Sequence, residues 1–145
     1  MKQAQKGFDL STLDTAVDKP VTFDVAVIVD PDGNPISGFR IVGRNSTEYR
    51  TADKAVRVEN QKAAASRSKA IDQKTEEGAE KVVDIVDRQT LARTAAVCVD
   101  WFGFESSGKP AKFDAKVVRK MLEKFPTWQE KIMFALSEDN NFLTV

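Results

Sequence analysis

A few side chains in this sequence have the types and spacing that chemistry requires. Asp30, Asp32 and Asn34 alternate like the opening of a calcium loop. Such a loop needs glycine at its sixth position and a bidentate acid at its twelfth, whereas here Gly33 stands fourth and Ile41 twelfth. A tight turn is the better reading. Asp84, Asp87 and Asp100 could be posed as an acid/base pair, but a solvated helix face presents the same pattern. Cys98 is the only cysteine and histidine is absent, which removes every Ser/His or Cys/His pair and leaves a thiol with no base beside it. Core packing is the expected use of Cys98. Asn45-Ser46-Thr47 matches a glycosylation acceptor, but with no secretory leader in sight it reads as a helix cap. An enzyme would have to work with carboxylates or lysines alone, so none is expected, and neither is a metal or cofactor.

The elements that would carry these residues come from a chain of 145 residues, a length that suits one domain, 1–145. Basic and acidic residues balance at 22 each, so no net field draws the chain to nucleic acid or to a membrane. No stretch is apolar for long enough to span a bilayer, and the cytoplasm is the expected compartment.

Val21, Phe23, Val25, Val27 and Val29 occupy every second position, the period of a half-buried strand. Asp30-Pro31-Asp32-Gly33-Asn34 then turns the chain into a second extended run with Phe39 and Ile41, which predicts a β-hairpin. Residues 1–44 thus form an arm and hairpin, and residues 45–145 a helical part. Asn45 or Ser46 can cap the first helix, with Glu48 completing a capping-box pattern after Asn45. That helix is long and charged. Its apolar stripe, Ala52, Val56, Ala63 and Ala70, is thin. Residues 66–81 are polar, and a bend or linker is expected there, with a break near Gly78.

Val82, Val83, Ile85 and Val86, then Leu91, Ala92, Ala95, Ala96, Val99 and Phe102, predict a core helix. Asp114 can cap a shorter helix whose Val117, Val118, Met121, Leu122 and Phe125 face inward and that Pro126 stops. Thr127 with Glu130 is a second capping-box pattern, opening a last helix with Trp128, Ile132, Ala135 and Leu136. The expected fold class is α+β, mainly α: an N-terminal β-hairpin followed by about four helices.

Two surfaces could meet partners. Between Arg44 and Lys74 eight basic residues face four acids, and Arg50, Lys54 and Arg57 share one helix face that could meet phosphates or an acidic protein, although a solvated face is the simpler reading. Trp101, Phe102, Phe104, Phe125 and Trp128 sit at helix ends, where they could close a core or anchor an interface. The alanine stripe from Ala52 to Ala70 contributes little to a core and is the first choice for a self-association or partner face.

The order of these features resembles the tail assembly chaperones of long-tailed bacteriophages. Phe8-Asp9-Leu10 is followed by a short β segment and then by Gly43-x-x-Ser46-x-x-Tyr49-Arg50 leading into a charged helix. Ala92 to Trp101 is similar to an alanine-rich helix ending in tryptophan, Gly108 precedes Phe113-Asp114, and a Trp128 helix runs to Phe142-Leu143. The resemblance implies a protein of the host cytoplasm that binds the tape-measure protein, recruits tail-tube protein, and is absent from the mature virion. It implies no catalytic residues. The partner-binding residues expected on this basis are Tyr49, Arg50, Ala52, Val56, Trp101, Phe104 and Trp128. The alternative is a minor tail or connector protein retained in the virion; a nucleic-acid binder ranks below both.

Overall fold

The computed structural model describes residues 7, 10–12, 21–66 and 71–143. Phe8, Asp9 and Ala70 lie outside them. Strand β1 (Phe23–Val29) pairs antiparallel with β2 (Pro35–Ile41), placing Val25 opposite Phe39 and Phe23 opposite Ile41. The register slips on either side of Ile28. A bulge of this kind changes which face a side chain takes, so Val25 and Val27 are buried while Ile28 and Val29 stay exposed. At the turn, Asp30 Oδ1 accepts from the backbone N–H groups of Asp32 (2.9 Å) and Asn34 (2.8 Å), and Gly33 takes the positive φ of 86°. These donors, Asn34 foremost, hold the Asp30 carboxyl below its ordinary range. Its oxygens are used by the turn.

Helix α1 (Thr47–Ala65) follows, then α2 (Glu76–Val97). The chain does not break at Gly78. Thr75 caps α2 by accepting from the Gly78 N–H, and Gly78 is buried in the helix's first turn. A Cβ there would lie 1.8 Å from the Asp72 carbonyl oxygen, so glycine lets the Asp72–Thr75 turn fold down onto the helix start.

The core helix is also shorter than its periodicity predicts. It ends at Val97, and Cys98–Phe102 is a strand, β3, paired antiparallel with β2 so that Phe39 faces Trp101 and Arg40 faces Asp100. The free edge of β2 presents backbone groups that need partners, and the β-branched and aromatic residues of β3 supply them. The sheet order β1-β2-β3 places β2 in the middle. A two-stranded ribbon, β4 (Glu105–Ser106) and β5 (Lys109–Pro110), comes next. It turns through Ser107 and Gly108, both at positive φ (53° and 79°), as a tight hairpin requires.

Asp114 caps α3 (Ala115–Lys124) through the Lys116 N–H at 2.9 Å. Pro126 both stops α3 and opens α4 (Pro126–Ser137), standing at its first turn where a missing N–H is harmless. Phe125, not Thr127, takes the cap position and makes no side-chain cap bond, so the Thr127/Glu130 capping box does not form. A 3₁₀ turn, Asp139–Phe142, closes the described chain.

One face of the sheet carries the core. Phe39, Ile41, Leu122, Ile132 and Leu136 are fully buried, joined by Leu91, Val97 and Val118, so the C-terminal half of α2 packs with α3 and α4 against the strands. The fold is α+β and mainly helical, with the hairpin first and four helices after it among the described residues.

Leu122 and Ile132 are both 0 % exposed, and removing the side chain of either leaves a cavity that rigid neighbours cannot fill. Leu122→Ala should cost about 2–5 kcal/mol in urea unfolding, whereas alanine at exposed Lys120 should change stability by no more than about 0.5 kcal/mol.

A two-helix arm as the candidate partner-binding surface

The entry into α1 explains why Gly43, Ser46, Tyr49 and Arg50 stand at their spacing. Ser46 Oγ donates to the Gly43 carbonyl at 2.6 Å and accepts from the Tyr49 N–H at 3.1 Å, a helix start closed by one hydroxyl. Gly43 is buried under Phe142, whose ring atom Cγ would lie 2.6 Å from a Cβ at that position. Phe142 in turn meets Phe23 edge-on at 6.1 Å between ring centroids. Tyr49 packs on the core, and Arg44 beside it pairs with Asp139 at 2.9 Å. The base of α1 is thus fastened to both the hairpin and the C-terminal turn.

Beyond its first turn α1 relies on α2. Val56 is its one buried residue, with Ala52 half-buried on the same face, so both serve the contact between the helices. Ala63 is exposed. Polar and ionic bonds hold most of the seam. Asp53 meets Arg93 at 3.0 Å, with both side chains about three-quarters buried, and also takes Arg57 from its own helix. Glu59 receives both terminal nitrogens of Arg88, at 2.6 and 3.0 Å. Gln89, itself buried, donates to Asn60 Oδ1 at 2.8 Å. These pairs run in opposite directions along the two helices, so α1 and α2 form an antiparallel arm. Arg88 draws the Glu59 carboxyl below its ordinary value of 4.5.

The arm leaves apolar groups uncovered. Val83 is 56 % exposed and Val86 52 %, while Val82 and Ile85 are half-buried. Steps of three and four residues put Val83, Val86 and Thr90 on the flank of α2 that carries Arg93. On α1 the matching flank, marked by Asp53, bears Arg50, Lys54, Arg57, Gln61 and Ala64, all exposed. Hollows of about 340 Å³ and 530 Å³ lie among these α1 side chains, the larger bordered by Val58.

The expected partner residues are divided by the structure. Arg50 is exposed on the arm's flank; Tyr49, Ala52 and Val56 are turned inward. Trp101, Phe104 and Trp128 gather around Phe39 in an aromatic cluster, with Trp101 and Phe104 at 5.5 Å, Phe39 and Phe104 at 5.4 Å and Phe39 and Trp128 at 6.1 Å between centroids. Trp101 lies on β3 rather than at a helix end, and its indole N–H donates to the Ala111 carbonyl at 2.9 Å. Asp84, Asp87 and Asp100 are not brought together, since Asp100 pairs with Arg40 across the sheet. Among the described residues no group of three or more His, Cys, Asp or Glu side chains is placed to hold a metal. The ionic seam was missed by the sequence reading. Its signal was the pairing of acids on α1 (Asp53, Glu59) with arginines on α2 (Arg88, Arg93).

Comparison with protein-family models, with curated proteins and with solved structures gives no match.

Two outcomes follow from this geometry. A carboxyl whose pKa is lowered by folding stabilises above its unfolded value and loses that contribution as pH falls through the folded one. Amide exchange should therefore show the arm loosening below about pH 4.5, and Glu59→Gln should remove that acid sensitivity. Cys98 is buried and donates to the Thr94 carbonyl, and burial pushes its thiol up to about 12. Iodoacetamide at about pH 8 should label it only in denaturant, at a rate set by unfolding.

Proposed function

We propose that this chain is a tail assembly chaperone of a long-tailed bacteriophage, which binds the tape-measure protein, brings tail-tube subunits to it, and is shed before the particle is complete. The order of landmarks from Gly43 to Leu143 supports the reading. So does one structural observation above the others: the arm exposes Val83 and Val86 beside Ala64, while its own two helices are held together largely by charge. An amphipathic client helix can lay its apolar side on such a flank, and the arm loses none of its internal bonds in receiving it. The fastened base of α1 keeps that flank in a fixed relation to the core. Val83 and Val86 therefore join Arg50 as the residues proposed to meet the client, and Trp101, Phe104 and Trp128 support the domain beneath.

The test is co-expression with the tape-measure protein of the same gene cluster, followed by affinity capture and a solubility assay. The client should be captured and kept soluble, and Val83→Asp with Val86→Asp should reduce capture at least about tenfold while the circular dichroism stays unchanged. Purified particles should lack the chain. A client that is neither bound nor solubilised would overturn the reading, and a fixed copy number in particles would favour a retained tail subunit instead.

A further inference from the structure

Along the flank of the arm, charged and apolar surface are not mixed but follow one another. Near the core, Arg50 and Lys54 have no carboxylate within ion-pairing distance among the described residues. Arg57, the next cation along, shares Asp53 with Arg93, so two cations divide one anion. With Thr47 and Thr51 these cations line the hollow of about 340 Å³. Toward the tip the flank loses its charge. Gln61 and Ala64 on α1 are followed there by the half-exposed Val86 and Val83 of α2. Glu80 and Asp87 stand three and four residues from Val83 and so border it on its outer side, and neither has a cation partner among the described residues.

A surface ordered in this way selects an order in what it binds. From Arg50 to Ala64 the flank is about 21 Å long at roughly 1.5 Å per helical residue, the length of a helical segment of about four turns. Carboxylates one turn apart on one half of such a segment meet Arg50, Lys54 and Arg57 in succession, and a guanidinium can take a carboxylate with two parallel hydrogen bonds. On the other half, aliphatic side chains cover Val86 and Val83. An acid in that half faces Glu80 and Asp87 and is repelled. A nucleic-acid strand matches less of the flank, because its phosphates continue past the cations to the same two acids and nothing in its backbone covers the valines.

We propose that the flank binds a charge-segregated helical segment of a client protein, with carboxylates on the half over Arg50, Lys54 and Arg57 and acid-free apolar side chains on the half over Val86 and Val83. The inference rests on the chaperone reading for the identity of the client, and adds to it the rule by which a segment is chosen. Turned end for end, the same segment sets its acids against Glu80 and Asp87 and leaves the valines uncovered, so one placement is preferred. Exposed ion pairs are individually weak and screened by salt. They supply the selection, and the valines supply a contact that salt does not weaken.

Fluorescence anisotropy on the intact chain tests this with a labelled helical peptide of about sixteen residues, glutamates at successive turns of one half and leucines at successive turns of the other. A control peptide has the same composition with its glutamates spread over both halves. At about 50 mM salt the segregated peptide should bind more tightly, and at about 500 mM the difference should vanish. The advantage should be at least about fivefold, as three exposed ion pairs allow. R50E/K54E should abolish it with unchanged circular dichroism, because neither side chain has an ion pair to lose. E80K/D87K should improve binding of the control peptide at least about threefold by removing the repulsion. Equal binding of the two peptides by the wild-type chain overturns the proposal, as does an advantage indifferent to R50E/K54E. Tighter binding of a short duplex DNA than of the segregated peptide would assign the cations to phosphates and overturn it too. In co-expression, R50E/K54E should capture the tape-measure protein at least about fivefold less well than the wild-type chain. A wild-type chain that discriminates the peptides but captures no tape-measure protein overturns the chaperone reading and upholds the selectivity of the flank.

Discussion

Phe39 and Ile41 on the middle strand are wholly buried, and the rest of the molecule is arranged to keep them so. A two-stranded hairpin cannot cover its own apolar face in water. The chain meets this need twice. It returns at Cys98 to add β3 at the open edge of β2, and it lays α2, α3 and α4 over the face that Phe39 and Ile41 present. The first of these also fixes where α2 must end. The Val42 N–H donates to the Val97 carbonyl at 3.0 Å, so the last turn of the helix is bonded directly to the residue that leaves β2.

Helix α2 consequently lives in two environments. From Gln89 onward it is clasped between α1 on one side and the core on the other, with Leu91, Thr94 and Val97 buried. Before Gln89 it meets, among the described residues, α1 and the Asp72–Thr75 turn. An α-helix held by apolar burial over one half and by ion pairs over the other has a gradient of local stability along its length, because exposed ionic contacts contribute much less than buried apolar area. Opening of the tip need not disturb the sheet. Surfaces that bind other chains are commonly found at the less stable end of such a gradient.

The sequence was most informative where one period dominates. Alternating valines revealed the hairpin, Asp114 and Pro126 marked the ends of α3, and the stripes of α3 and α4 named Val118, Leu122, Ile132 and Leu136 as core, whereas Phe125 from the same α3 stripe stands 40 % exposed and stacks on Trp128. It was least informative at Val97 to Phe102. The apolar spacing through Leu91, Ala95 and Val99 continues a helix without interruption, and only the unfilled edge of β2, a tertiary fact, turns that segment into a strand. Gly78 misled for a related reason. Glycine inside a polar run reads as a break, yet here it is required by the close approach of the Asp72 carbonyl. The partner surface was legible only in part. Arg50, Lys54 and Arg57 share a face by spacing alone, but that Trp101, Phe104 and Trp128 face one another around Phe39 depends on strands and turns far apart in the chain.

A balanced charge count conceals how these charges are used. On α1 the acids at Asp53 and Glu59 point toward α2, and the arginines that answer them come from α2's middle. With these acids engaged, Arg50 and Lys54 on the outer side of α1 have no ion-pair counterpart among the described residues, and with these arginines engaged neither do Glu76, Glu80, Asp84 and Asp87 on α2. The same bonds that hold the arm closed therefore generate the polarity of its surface. Composition alone cannot report this, because pairing inside the arm and segregation outside it draw on one pool of residues and sum to zero. The folded chain offers a partner a cationic base and an anionic tip, with Val83 and Val86 beside the acids.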